Sequence, residues 1–206
     1  MNFSSDNSAG VAPQVMTALA EANKGSAMAY GEDAITQKME TAFSDLFEKE
    51  IAVFPVATGT AANALSLSAL TPPWGQILCH RNAHIEEDEA GAPEMFTGGA
   101  KLSLLEGPHG KISSKTLKEV LSRANFGVQH HPQPKVLSLT QATEAGTIYQ
   151  NEEVADLAKI AHRADLAVHM DGARFANALA TLGCSPAEAT WKVAVDVLSF
   201  GATKNG

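Results

Sequence analysis

The sequence predicts an α/β protein, a three-layer αβα fold around a mainly parallel mixed sheet. Two observations lead there. Short apolar runs bounded by turn residues alternate with longer segments whose apolar residues recur at helical spacing. The short runs are apolar at successive positions, as strands covered by helices on both faces require. The chain has 206 residues and is 45% hydrophobic, enough for one sizeable core.

Taken in order, residues 11–24 (VAPQVMTALAEANK) and 33–49 carry apolar residues at helical spacing. Residues 51–57 (IAVFPVA) are short, apolar and stopped by Thr58-Gly59, which predicts a buried strand. The Ala/Leu-rich stretch 59–70 predicts the next helix. Strands are then expected at 76–80, 101–106, 135–140, 166–170 and 195–200, and helices at 113–124, 151–164 and 173–183. Ser113 stands at a helix start, acidic residues fill the first turn of 151–164, and Gly183 stands at a helix end. Residues 1–24 read as an N-terminal segment and 25–206 as the main domain.

Charge narrows the function classes. The net charge is -8, against the basic surface that nucleic-acid binding needs. No apolar run is long enough to span a bilayer, and MNFSSDNSAG lacks the charged and apolar regions of a secretion signal. The two cysteines, Cys79 and Cys184, support neither a disulfide framework nor a thiolate zinc site. A cytoplasmic protein with no membrane or nucleic-acid partner is expected.

In a parallel sheet, ligands bind beyond the carboxyl ends of the strands. Four such places carry chemistry. Thr58-Gly59-Thr60 opens a helix whose free N–H groups and dipole suit a phosphate, although it fits neither GxxxxGK[ST] nor GxGxxG. His84 would stack on or hydrogen-bond to a ligand, or stand on the surface of an acidic loop. Glu86 to Glu89 read as a solvated turn, and spacing alone also allows a metal between His84 and Glu87 or Asp88; no metal is expected. Asp171 ends an apolar run, where a carboxylate needs a positive partner, either Arg174 or a protonated ring nitrogen. Arg174 would otherwise bind a substrate carboxylate through its planar fork. Lys204 follows VDVLSFGAT, where partial desolvation would make the amine nucleophilic, although taken singly a snorkelling surface lysine is the plainer reading. Together these residues match what pyridoxal 5'-phosphate needs: a phosphate cradle, an Asp for the pyridine nitrogen and a Schiff-base lysine.

At HMDGARFANA and DVLSFGATKNG the chain resembles the low-specificity L-threonine aldolases, including the phenylserine aldolase branch, of the aspartate-aminotransferase-like, fold-type-I pyridoxal-phosphate enzymes. FSSDNSAG, AYGED (29–33), GTAAN (59–63) and HIEEDEAGAPE (84–94) support the likeness along essentially the whole chain. The resemblance implies retro-aldol cleavage of L-threonine, L-allo-threonine or phenylserine-type amino acids to glycine and an aldehyde. It implies Lys204 as the lysine that binds the cofactor, Asp171 at the ring nitrogen, Gly59 and Thr60 at the phosphate and His84 on the ring face. Arg174 and Ser5 would lie near the substrate carboxylate, and Tyr30 near the site, reaching it across a subunit boundary. A homodimer or homotetramer with sites at the subunit interface is implied. Where many members carry ENTHN, this chain has TQATEAG (140–146); Glu144 stands near the place of the missing histidine. The base for the β-hydroxyl proton is therefore Glu144, His84 or a held water. The family's chains continue past the lysine, so 25–206 is expected to be a large domain incomplete at its C-terminus, without the small domain. The other readings are β-elimination, transamination, or a non-catalytic fragment.

Overall fold

The computed structural model describes residues 5–205. They fall into two compact units, one running up to Pro55 and resuming at Ala202, the other spanning Val56–Gly201.

In the first unit, the Ser5 side chain accepts from Asn7 N–H at 3.1 Å and opens a 3-10 turn over Asp6–Ser8. Helix α1 (Pro13–Ala22) starts on a proline, whose missing N–H costs nothing in a first turn. Helix α2 (Ala34–Leu46) is capped by Asp33, whose carboxylate accepts from the N–H groups of Ile35 and Thr36 at 3.0 and 2.9 Å. Phe43 stacks on Phe47 with ring centroids 6.3 Å apart. Lys204 sits in a closing 3-10 turn, Thr203–Asn205, with Nζ 3.8 Å from Asp6 Oδ1.

The second unit alternates helix and strand: α3 (Gly59–Leu70), β1 (Gly75–His80), α4 (His84–Glu87), α5 (Ala92–Phe96) and β2 (Lys101–Leu105). It continues with α6 (Ser114–Ser122), β3 (Gln133–Thr140), α7 (Asn151–Arg163), β4 (Ala167–Gly172), α8 (Phe175–Leu182) and β5 (Val197–Phe200). The strands lie in the order β2-β1-β3-β4-β5, and every pairing is parallel. The antiparallel strand of the expected mixed sheet is not found among the described residues. Strand order reverses around β1, so the β1–β3 crevice is the switch point where such sheets accept ligands.

One core cluster joins Leu67 of α3, Ile77 and Cys79 of β1, Ile85 of α4, Val136 of β3 and Ala100, just before β2. Each large side chain buried there contributes about 1.5–3 kcal/mol. Helix α7 lays Val154, Leu157, Ala158 and Ala161 inward, and α6 contributes Leu117. Among the described residues no helix is long and apolar enough to cross a membrane.

Residues 51–57 are a correction: they form no strand. Pro55 has no N–H to give to a ladder, and Phe54 is 82% exposed. The Thr58-Gly59 boundary is nonetheless real, because the Thr58 side chain caps α3 by accepting from Ala61 N–H at 3.0 Å.

The β5 exit is tight. Gly201 N–H donates to Gly172 C=O at 3.0 Å, and a Cβ on Gly201 would fall 2.6 Å from Ala173 Cα. Backbone cannot yield as a flexible side chain can. The Gly201→Ala variant should therefore lose about 1–3 kcal/mol of stability in denaturant unfolding. A Cβ on Gly59 meets nothing within 4 Å, so Gly59→Ala should stay within about 0.5 kcal/mol of the parent.

Candidate active site

Asp171 is the last side chain of β4 before Gly172 and is only 4% exposed. Donors meet it on both oxygens. Ala173 N–H donates to Oδ1 and the Asn63 amide donates to Oδ2, each at 3.0 Å. These donors are neutral; they satisfy lone pairs without bringing positive charge.

Asn63 lies on the inward face of α3, and its amide bridges two carboxylates. Besides Asp171 it donates to Glu89 Oε1 at 2.8 Å, so both amide hydrogens are used. Glu89 Oε1 also lies 2.8 Å from His84 Nδ1. The Glu89 side chain is fully buried, whereas that of His84 is one-third exposed. Burial pushes the Glu89 carboxyl above the usual carboxylate range, against the hydrogen bonds from Asn63 and His84 that favour its charge. Glu89 Oε2 and Asn63 Oδ1 meet no donor among the described residues.

The expected solvated turn at Glu86 to Glu89 is thus corrected at its last member. Helix α4 turns the chain, and Glu89 goes inside to meet residues 26 and 82 positions away, Asn63 directly and Asp171 through it. Ligand atoms of His84, Glu89 and Asp171 lie within 4.8 Å of one another. The cluster uses neither Glu87 nor Asp88, and it is already bridged internally by hydrogen bonds.

Below Asp171 on the same strand face lies His169, wholly buried. Its Nδ1 lies 2.9 Å from Ser138 Oγ on β3 and its Nε2 lies 2.9 Å from Ser199 Oγ on β5. The ring ties three strands together below the site and takes no proton readily, since burial pushes it down to about 4, opposed by the nearby Asp171 charge.

Arg174 follows β4 and caps α8; its Nη1 is 3.9 Å from Glu144 Oε2. Glu144 rides on a closed loop. Gln141 donates to Tyr149 C=O at 2.8 Å and accepts from Tyr149 N–H at 3.0 Å, while Thr143 and Thr147 join hydroxyls at 2.7 Å. The N–H groups of Gly59 and Thr60 meet no acceptor among the described residues, as an anion cradle requires. Ser5, Tyr30 and Lys204 belong to the other unit. Tyr30 is fully exposed and has φ 62°, a conformation rare for a side-chain-bearing residue, and Ser5 is exposed. Cys79 is inert, its thiol pushed up to about 12 by burial.

Asn63 and Glu89 are the residues that sequence reasoning missed. Both sit inside quoted stretches, GTAAN and HIEEDE, but only a contact map shows that they meet.

The chain matches the family described as beta-eliminating lyase over residues 2–206. It belongs to that family. This beta-eliminating lyase family member is 46% identical to the low specificity L-threonine aldolase of Pseudomonas aeruginosa over 99% of its own length, and spans 58% of that relative. A solved threonine aldolase from Leishmania major superimposes with a TM-score of 0.89 at 28% identity, over 98% of this chain and 58% of that one. The fold extends to cystalysin from Treponema denticola, which contains pyridoxal 5'-phosphate: TM-score 0.58, 14% identity, 80% of this chain and 41% of that one.

The family member's His169 gives a pH signature. An unfolded histidine titrates near 6.5, roughly, and this one near 4 in the fold. Between those values the unfolded chain binds the proton and the folded one does not. Stability is whole above about pH 6.5, falls as pH drops and levels off below pH 4, a loss of about 3 kcal/mol from this group. Urea unfolding of a His169→Asn variant should show a lower plateau at pH 7 but a shallower decline toward pH 4.

Proposed function

We propose that the whole protein is a pyridoxal 5'-phosphate-dependent aldolase cleaving threonine, allo-threonine or phenylserine-type amino acids to glycine and an aldehyde. The observation that carries the cofactor reading is Asp171, a buried carboxylate at a parallel strand end that, among the described residues, accepts from neutral groups beside an imidazole one-third exposed. The relatives, of which this chain spans 58%, favour the aldol reaction among those open to such a site.

The residues fit the cofactor. A protonated ring nitrogen would bring Asp171 the positive charge that Asn63 and Ala173 do not. Gly59 and Thr60 present unpaired N–H groups, with open space where a Cβ on Gly59 would be. Lys204 would hold the cofactor covalently and His84 would cover its ring. When bound, the group supplies an anchor for the substrate amine and a ring that takes up the electron pair of the breaking Cα–Cβ bond.

The chain's residues do the rest. Asp171 keeps the ring nitrogen protonated. Arg174 grips the substrate carboxylate, with Glu144 balancing its charge until substrate competes. That engagement speaks against Glu144 as the base, and His84 takes the β-hydroxyl proton. Ser5 and Tyr30 are assigned to the substrate in the whole protein, and the full exposure of Tyr30 supports its service in a homodimer or homotetramer. Residues 25–206, which follow segment 1–24 in the chain, are assigned as the cofactor-binding domain, and free thiols at Cys79 and Cys184 suit a reducing cytoplasm.

The family's description favours one rival, β-elimination. Product analysis separates them: the aldolase releases glycine and an aldehyde, a β-eliminating enzyme pyruvate and ammonia. Lys204→Ala should abolish the visible absorbance band of the covalently held cofactor and the release of glycine; a persisting band would sink the assignment of Lys204. Arg174→Lys, which loses the planar fork, should raise KM about tenfold (about 1.4 kcal/mol) with the band unchanged.

A further inference from the structure

We propose that Glu89 is a positioning residue that holds His84 with its proton on Nδ1 and its lone pair on Nε2, so that Nε2 is the basic atom. The proposal rests on the reading of His84 as proton acceptor and names the group that prepares it.

The hydrogen-bond directions carry the argument. Glu89 Oε1 already accepts from the Asn63 amide at 2.8 Å. Ionised, Glu89 has no hydrogen to give, so His84 Nδ1, 2.8 Å away, is the donor. In a neutral imidazole a proton on Nδ1 puts the lone pair on Nε2. Asn63 cannot turn to reverse this pattern, because its other hydrogen is committed to Asp171 Oδ2 at 3.0 Å. The Glu89 side chain is wholly buried, so water does not compete for Oε1, while that of His84 is one-third exposed.

The arrangement follows the logic of a base oriented by a buried carboxylate through its far nitrogen. It differs in the added amide. Asn63 ties the carboxylate that orients the imidazole to Asp171, so one side chain on α3 steadies both. As His84 takes up a proton, the ring becomes a cation beside Glu89, which stabilises that state where neutral surroundings would not.

The test is nitrogen NMR of the whole protein, loaded with cofactor and labelled on histidine, at a pH where the His84 ring is neutral. The His84 signal is identified by its loss in His84→Gln. The expected wild-type spectrum has the proton on Nδ1; a proton on Nε2 overturns the proposal without any variant of Glu89. Glu89→Gln, which keeps the shape and offers an N–H in place of one oxygen, should release the tautomer preference. Its kcat should fall about 10²-fold while KM stays within about threefold and the cofactor band persists. An unchanged tautomer and unchanged kcat in that variant would also overturn the proposal. The two readings separate cleanly: the expected tautomer without glycine release keeps Glu89 in place and removes the aldolase, whereas glycine release with the proton on Nε2 does the reverse.

Discussion

A carboxylate buried at the end of a parallel strand must be answered by donors or it will not stay charged. Much of the second unit is arranged around that requirement at Asp171. The strand ends in Asp-Gly so that the chain can turn and present Ala173 N–H to one oxygen. Helix α3 turns Asn63 inward to meet the other. Packing of α3 on β1 and β3 through Leu67, Ile77 and Val136 sets that approach, so the hydrophobic core aligns the polar network.

The same constraint explains why the site is polar in depth. Asn63 carries two hydrogens and finds two carboxylates, and the second, Glu89, fixes the imidazole. Under Asp171, His169, neutral at pH 7, ties β3, β4 and β5 together through two serines. A charged residue there would compete with Asp171 for the few donors available; a neutral ring with two hydroxyl partners does not. The orphaned oxygens of Asn63 and Glu89 lie at this network, where a ligand or water is the natural partner.

Much of the fold was legible because parallel βαβ units write themselves in period and punctuation. The expected helix 59–70 is α3 to the residue, and the remaining strands differ by a residue or two at their ends. The exception, 51–57, was apolar enough for a strand but carried a proline, and hydrogen-bond capacity outweighed hydrophobicity. Of the proposed site, Asp171, His84, Gly59 and Thr60 stand where strand ends and helix starts give local signals. Glu89 was read as solvated because acidic runs usually are; nothing local distinguishes the fourth carboxylate of HIEEDE from its neighbours.

By itself the sequence determined the layer architecture, the strand ends and the residue types that gather there, since these follow from local periodicity and turn chemistry. Only tertiary structure decided which acid is buried, which amide joins it to Asp171, and that Glu144 balances Arg174. Those pairings span tens of residues, up to the 108 between Asn63 and Asp171, and depend on how helices pack over the sheet. A buried polar group is defined by what surrounds it, and the surroundings exist only once the chain has folded.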